Sequence, residues 1–507
     1  MYGKYLCAYI FVIITENQGD NMLTYSFENR GNDTLYEYLY KQIKNDIINR
    51  KLLPGEKLPS KRIFAKNLGV STITVENAYS QLVSEGYIYA LPKSGYYVNE
   101  IDVYSYDYRS QTKTEKKLEG SAVNERNINT NNGNISKKQK VQNTEAFFAD
   151  FVSNSTAEDA FPFSVWTRLL REIMAEDGEK LMTRSQAAGV PELRKAVADY
   201  LYQFRGMEVD ADQIIIGAGT EYLYGLIIQI LGYDRCYAVE DPGYQKISQI
   251  YNAHNVSCKF IDMDDCGVNI EALEKSGADV IHISPSHHFP TGLVTPVSRR
   301  YELLSWASRS HRHYIIEDEY DSEFRLQGRP IPTLESIDVS EKVIYINTFS
   351  KSLASTIRIS YMVLPKHLME IYNNHLGFYA CTVSNFEQYT LARFITGGYL
   401  EKHINRMRNY YRGQRDKLLE CIKQYTRNKN ILVKEENAGL HFLLEVDTNY
   451  SDQQLIENAA QNGIHISCLS QYYKNLENAK QHTFIINYSG ISPDNIEESI
   501  KLLIDSI

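Results

Sequence analysis

Five short runs rich in β-branched and aromatic residues recur through the later part of the chain, at 214–216, 237–239, 280–283, 314–316 and 343–346. Each breaks into a polar loop, and helical stretches separate most of them. Apolar runs of this length, alternating with helices, are the signature of a mostly parallel sheet covered on both faces. Such a sheet gathers its ligands beyond the carboxyl ends of the strands, so the polar residues that follow each run are the first place to look for chemistry. The last part of the chain, about 100 residues, reads as a smaller α+β lobe.

A chain of 507 residues predicts two or three domains. Hydrophobic content of 43% and charged content of 23% are ordinary for a soluble globular protein. The net charge of −9 is unevenly spread: residues 34–99 carry nine Lys/Arg against five Asp/Glu. A basic module on an acidic body predicts that only the module meets a polyanion. The seven cysteines show no CxxC pair and no metal-ligand spacing, which predicts reduced thiols in a cytoplasmic protein and no metal site. The apolar stretch at 6–14 falls short of the ~20 residues that span a bilayer, and no small-residue cleavage site follows it. No membrane partner is expected. Residues 1–33 are read as an N-terminal extension, with Met22 a candidate true start.

Within 34–99, Leu35, Leu39, Ile43 and Ile47 define one face of an amphipathic helix. Ser60 caps a second short helix that Gly69 stops, and Ser71 caps a third whose Val75, Ala78 and Leu82 face inward. Two tyrosine-rich runs around Leu91-Pro92-Lys93-Ser94-Gly95 make a hairpin. Three helices and a hairpin form a winged helix-turn-helix. Its third helix would enter the major groove of double-stranded DNA with Ser71, Thr72, Thr74 and Asn77. Lys61, Arg62, Lys66 and wing residue Lys93 would contact phosphates. Residues 100–146 lose apolar periodicity and are read as a flexible polar linker. The effector body then runs over 147–507.

Four loops of the body carry complementary chemistry. Gly217-Ala218-Gly219-Thr220 opens a helix, where free N–H groups and glycines suit a phosphate. Tyr244, after Pro242-Gly243, offers a ring to a planar heterocycle. In Glu317-Asp318-Glu319-Tyr320-Asp321 an aspartate could pair with a protonated pyridine nitrogen and Tyr320 could bond a ring hydroxyl. Lys351 supplies an amine for an aldehyde, among Thr348, Ser350 and Arg358 as phosphate ligands. Together these describe pyridoxal 5′-phosphate.

The run Leu52-Leu53-Pro54-Gly55-Glu56-Lys57-Leu58-Pro59-Ser60, with Leu68-Gly69-Val70-Ser71, resembles the GntR family's DNA-binding domain. Glu240-Asp241-Pro242-Gly243-Tyr244, Ser284-Pro285-Ser286-His287-His288-Phe289-Pro290-Thr291-Gly292 and the stretches 317–325 and 348–361 resemble the MocR/GabR regulators. These fuse a GntR winged helix to a fold-type I aminotransferase-like domain. The resemblance implies that Lys351 forms the Schiff base, that Asp318 pairs with the pyridine nitrogen, that Ala218, Gly219, Thr220, Thr348 and Arg358 hold the phosphate, and that the chain forms a head-to-tail homodimer. Lys246 stands where the GABA-sensing member has an effector arginine. The strand matching the aminotransferases' carboxylate arginine, Thr483-Phe484-Ile485-Ile486-Asn487-Tyr488, holds none. The expectation is a transcriptional regulator that senses an amine metabolite, or pyridoxal 5′-phosphate itself, at Lys351. The alternative is an active aminotransferase with an appended DNA-binding domain.

Overall fold

Local signals in the N-terminal module close as the sequence predicts. The computed structural model describes residues 25, 27, 30, 33–91, 94–99, 147–153, 160–326, 331–426, 430–437 and 439–507, divided between two compact units, Met1–Ile101 and Asp102–Ile507. The expected linker at 100–146 lies outside the described residues, as does most of the expected extension at 1–33.

In the first unit α1 (Leu35–Ile48) buries Leu39, Ile43 and Ile47. Then α2 (Lys61–Leu68) starts at Ser60, whose side chain accepts from the Ile63 N–H, and stops at Gly69 with φ +66°. Only glycine adopts that left-handed turn without a Cβ penalty. The third helix, α3 (Thr72–Ser84), is capped by Ser71 and packs Val75, Ala78 and Leu82 inward with no exposure. Strands β1 (Ile88–Leu91) and β2 (Gly95–Val98) pair antiparallel as the wing. Tyr25, in the expected extension, bonds Asp46 of α1 at 2.8 Å.

Among the described residues of the second unit the first strand is the two-residue β3 (Ala149–Asp150). Its central sheet holds β4 (Ile214–Gly217), β5 (Cys236–Asp241), β6 (Ser257–Asp264), β7 (Gly267–Val268), β8 (Val280–Ile283), β9 (Tyr314–Glu319), β10 (Val343–Thr348) and β11 (Ser360–Val363). Their spatial order is β4-β11-β10-β9-β8-β5-β6-β7. Strands β10, β9, β8, β5 and β6 are mutually parallel, while β11 runs antiparallel between β10 and β4. Successive side chains of a strand point to opposite faces. Ile215 therefore packs with Leu226 and Ile227 of the helix Thr220–Leu231 on one face, and Ile214 and Ile216 pack with Leu193, Val197 and Leu201 on the other. Each such full burial stabilises by about 1.5–3 kcal/mol.

Three strands of the central sheet, β6, the two-residue β7 and β11, escape the sequence reading. In β6 only Ile261 is buried, because the strand lies near the sheet edge and carries no continuous apolar run. Tyr361 of β11 follows so soon after the polar loop that the run merges with it. The acidic stretch expected to follow the strand at 314–316 instead continues it: β9 extends to Glu319 and is buried throughout.

The C-terminal lobe is an antiparallel sheet of β12 (Ile431–Lys434), β13 (His441–Val446), β15 (Ser467–Cys468) and β16 (Thr483–Asn487). The short β14 (Ile464–His465) of this lobe pairs in parallel with β3. Among the described residues no helix is long and apolar enough to cross a membrane.

Candidate functional site

On the winged helix, Arg62, Lys66, Ser71, Thr72 and Asn77 are exposed. The Ser71 hydroxyl accepts from the Thr74 N–H at 3.1 Å and contacts the Thr74 hydroxyl at 2.8 Å. Both are therefore engaged with the helix cap as well as facing solvent. Lys61 is held at 2.6 Å by Glu76 of α3, so its charge is partly neutralised before any phosphate arrives. Lys93 lies outside the described residues. Sequence reasoning missed Ile73, 68% exposed in the first turn of α3; an apolar side chain there suits a thymine methyl.

In the body, one cavity of about 470 Å³ lies beyond the carboxyl ends of β4, β5, β8, β9 and β10. Parallel strands of one sheet all end on the same edge, which is why loops far apart in sequence meet there. Its lining includes Gly219, Thr220, Tyr244, Lys246, Asp318, Tyr320, Thr348, Ser350, Lys351 and Arg358. Of the expected cofactor residues only Ala218 is absent from it; the Ala218 N–H is bonded to the Thr382 hydroxyl at 2.9 Å.

Lys351 follows β10 in the short helix Phe349–Ser352. Burial lowers its amine to about 8, against the opposing pull of Asp321. The residues expected to hold the phosphate come from three chain segments. Gly219 has φ +92°, and a Cβ there would sit 2.6 Å from Arg358 Nη2, so glycine alone lets the guanidinium close over the helix start. Arg358 itself has φ +53°, a backbone state that costs a non-glycine residue about 1–2 kcal/mol. The Thr348 hydroxyl accepts from the Ser350 N–H at 3.1 Å and from the Ser360 hydroxyl at 2.8 Å.

Asp318 is the most elaborately held group. Tyr224 donates to its Oδ2, and His282 Nε2 lies 3.2 Å from the same oxygen. Tyr251 bonds His282 Nδ1 at 2.7 Å, which leaves Nε2 as the nitrogen that donates to the carboxylate. Asp318 Oδ1 is buried with no hydrogen-bond partner among the described residues. A buried acceptor without a donor is costly; a protonated pyridine nitrogen would supply one. That orphan oxygen, the Gly219 cradle and the depressed Lys351 amine fit pyridoxal 5′-phosphate.

Tyr244 is 51% exposed and meets Phe289 edge-on, 6.0 Å between centroids. Lys246 is already paired with Glu221, which also lies 3.6 Å from Arg358. Glu240, likewise in the lining, is pushed up to about 8 by burial, while the Ser284 N–H pulls the other way. Sequence reasoning missed Tyr224, Glu240, Tyr251 and His282. The one available signal was His282, a lone imidazole inside an otherwise apolar strand.

The gntR family of bacterial regulatory proteins matches residues 35–98, and the aminotransferase class I and II family matches residues 152–503. The uncharacterized HTH-type transcriptional regulator YdeL of Bacillus subtilis is 36% identical, over 92% of this chain and 96% of that protein. The HTH-type pyridoxine biosynthesis transcriptional regulator PdxR of Corynebacterium glutamicum is 28% identical, over 86% of this chain and 88% of that protein. Among solved structures, a Pyrococcus horikoshii kynurenine aminotransferase in complex with PMP superposes with a TM-score of 0.61 at 25% identity, over 70% of this chain and 90% of that one.

Proposed function

The chain belongs to the GntR-type transcriptional regulators with an aminotransferase class I and II domain, and on that premise we propose that Lys351 is the point at which it senses an amine metabolite or pyridoxal 5′-phosphate itself. The gntR-type domain implies DNA binding, and the aminotransferase fold implies pyridoxal 5′-phosphate. When bound, the cofactor supplies an aldehyde for Schiff-base formation and a ring that withdraws electrons.

The chain's own groups supply the rest. Burial holds the Lys351 amine low enough that an uncharged, nucleophilic fraction exists near neutral pH. Asp318, oriented by Tyr224 and His282, presents Oδ1 to the ring nitrogen. Gly219, Thr220, Thr348, Ser350 and Arg358 receive the phosphate, and Tyr244 covers the ring at the rim. An effector amine that competes with Lys351 for the aldehyde needs no turnover to bias a two-state equilibrium. The re-spacing of two winged helices of a head-to-tail homodimer on an operator would report it, in the cytoplasm.

The observation that carries this reading is the buried Asp318 Oδ1 without a donor, in the same cavity as a lysine of lowered pKa. Arg358 is the one arginine among the described lining residues, and it belongs to the phosphate cup. The absence of a second clamp favours a sensor over a working aminotransferase. Full-length protein loaded with pyridoxal 5′-phosphate should show visible absorbance that Lys351→Ala abolishes, and borohydride should fix the cofactor to Lys351. Colourless protein that borohydride does not modify overturns the proposal. Sustained keto-acid formation from an amino donor and 2-oxoglutarate would instead establish the aminotransferase alternative.

A further inference from the structure

Behind the cofactor-facing wall, three buried groups meet from three chain segments: His287 of the loop after β8, Asp321 just past β9, and His441 at the start of β13. Their candidate ligand atoms lie within 4.8 Å of one another. Arg205 and Arg325 line the small cavity beside His287 and Asp321, and two guanidinium groups there oppose a cation. The pattern of hydrogen bonds explains the cluster better. His287 Nδ1 lies 2.9 and 2.8 Å from the two Asp321 oxygens, and 3.1 Å from the Tyr320 hydroxyl.

A carboxylate only accepts, so the nitrogen that faces both its oxygens carries the proton. The same N–H then faces the Tyr320 oxygen and occupies it as an acceptor. Burial and the neighbouring Asp321 charge hold the Tyr320 phenol well above its ordinary value, so it keeps its own proton. With its oxygen receiving from His287, that proton is directed away from the imidazole and toward the cavity Tyr320 lines.

The other side of the pair is fastened to the C-terminal lobe. Asp321 Oδ2 accepts from the Leu440 N–H at 3.3 Å, and the Tyr488 hydroxyl donates to the Gly439 carbonyl at 2.7 Å. Gly439 has φ +76°, and a Cβ there would overlap the His287 ring and crowd Asp321 Oδ2. The His441 ring lies 4.5 Å from that of His287, and its Nε2 is 3.3 Å from the Pro290 carbonyl. The strand is thus seated directly on the imidazole.

We propose that His287 is a positioning residue: held by Asp321, it shares its Nδ1–H with the Tyr320 phenol, aims the phenol proton at the cofactor's ring hydroxyl, and couples that proton's direction to the seating of the lobe strand at 439–441. The inference rests on the reading of the cavity as a pyridoxal 5′-phosphate site. It assigns a route by which a shift of the C-terminal lobe alters the cofactor's hydrogen bonding without contact to the cofactor.

The test is a double-variant cycle on the full chain, with pyridoxal 5′-phosphate as probe, reading its dissociation constant and the visible circular dichroism of the bound form. Tyr320→Phe and His287→Gln should each weaken binding about threefold to tenfold and change the visible ellipticity alike. The double variant should be no weaker than either single one. Gly439→Ala, which crowds both His287 and Asp321 from the lobe side, should change the ellipticity in the same direction, and change it less in a His287→Ala background. Binding losses that multiply, or a His287→Gln protein with wild-type affinity and ellipticity, overturn the proposal while leaving the cofactor site standing. A wild-type chain that takes up no pyridoxal 5′-phosphate overturns both.

Discussion

Lys351 and Gly219 show how single residues tune this site. Burial lowers the Lys351 amine to about 8, so its uncharged fraction grows with pH up to that value and then saturates. Uptake of pyridoxal 5′-phosphate by cofactor-free protein should therefore accelerate about tenfold per pH unit below 8 and level off above it, as borohydride trapping at timed intervals would record. Glu240 titrates in the same range in the same cavity, and the profile should survive Glu240→Gln if Lys351 controls it. The stability linkage has a definite sign. Between about 8 and lysine's ordinary value the unfolded chain binds the extra proton, so this contribution to stability rises with pH across that window. At Gly219, alanine would bring both a φ +92° penalty and a contact with Arg358 Nη2. Gly219→Ala should weaken cofactor binding about tenfold or more with the secondary structure unchanged, measured by titration of the visible band.

At the scale of elements, helix starts do the positioning. The helix Thr220–Leu231 opens at the proposed phosphate site with Glu221 in its first turn, where a carboxylate would repel a phosphate. Lys246 pairs with it, and this pairing gives Lys246 a role distinct from the effector contact that the family resemblance suggests. Lys246→Met should lower cofactor affinity about twofold to fivefold, and Glu221→Gln in the same protein should restore it; equilibrium titrations of the two single variants and the double would decide. In the DNA module, Ser71 caps α3 through the Thr74 N–H. Ser71→Ala should cost about 1 kcal/mol of module stability, read by denaturant melts. Arg62 is exposed on α2 and free of helix-capping duty, so Arg62→Ala should weaken DNA binding across sequences and flatten its salt dependence by about one phosphate's worth.

For the molecule as a whole, the two compact units predict two thermal transitions in calorimetry. Pyridoxal 5′-phosphate should raise only the transition of the second unit, by about 2.7 kcal/mol of stability at a hundredfold excess over Kd. A shift of both together would mean that the units unfold as one.

Sequence alone determined the winged helix, most strands of the parallel sheet, and the lysine, aspartate and glycine-rich turn at its carboxyl edge. Those features are written in local signals: caps such as Ser60 and Ser71, the spacing of Leu39, Ile43 and Ile47, and apolar runs that end in polar loops. Tertiary structure alone decided which polar side chains hold those groups in place. Tyr224 reaches Asp318 across 94 positions from a helix whose apolar composition marks it as core. His282 reaches it across 36, and His287 meets Asp321 across 34. The geometry of such pairs depends on how far each strand runs and how each helix is rotated against the sheet. Packing sets both, and no local pattern in the chain encodes them.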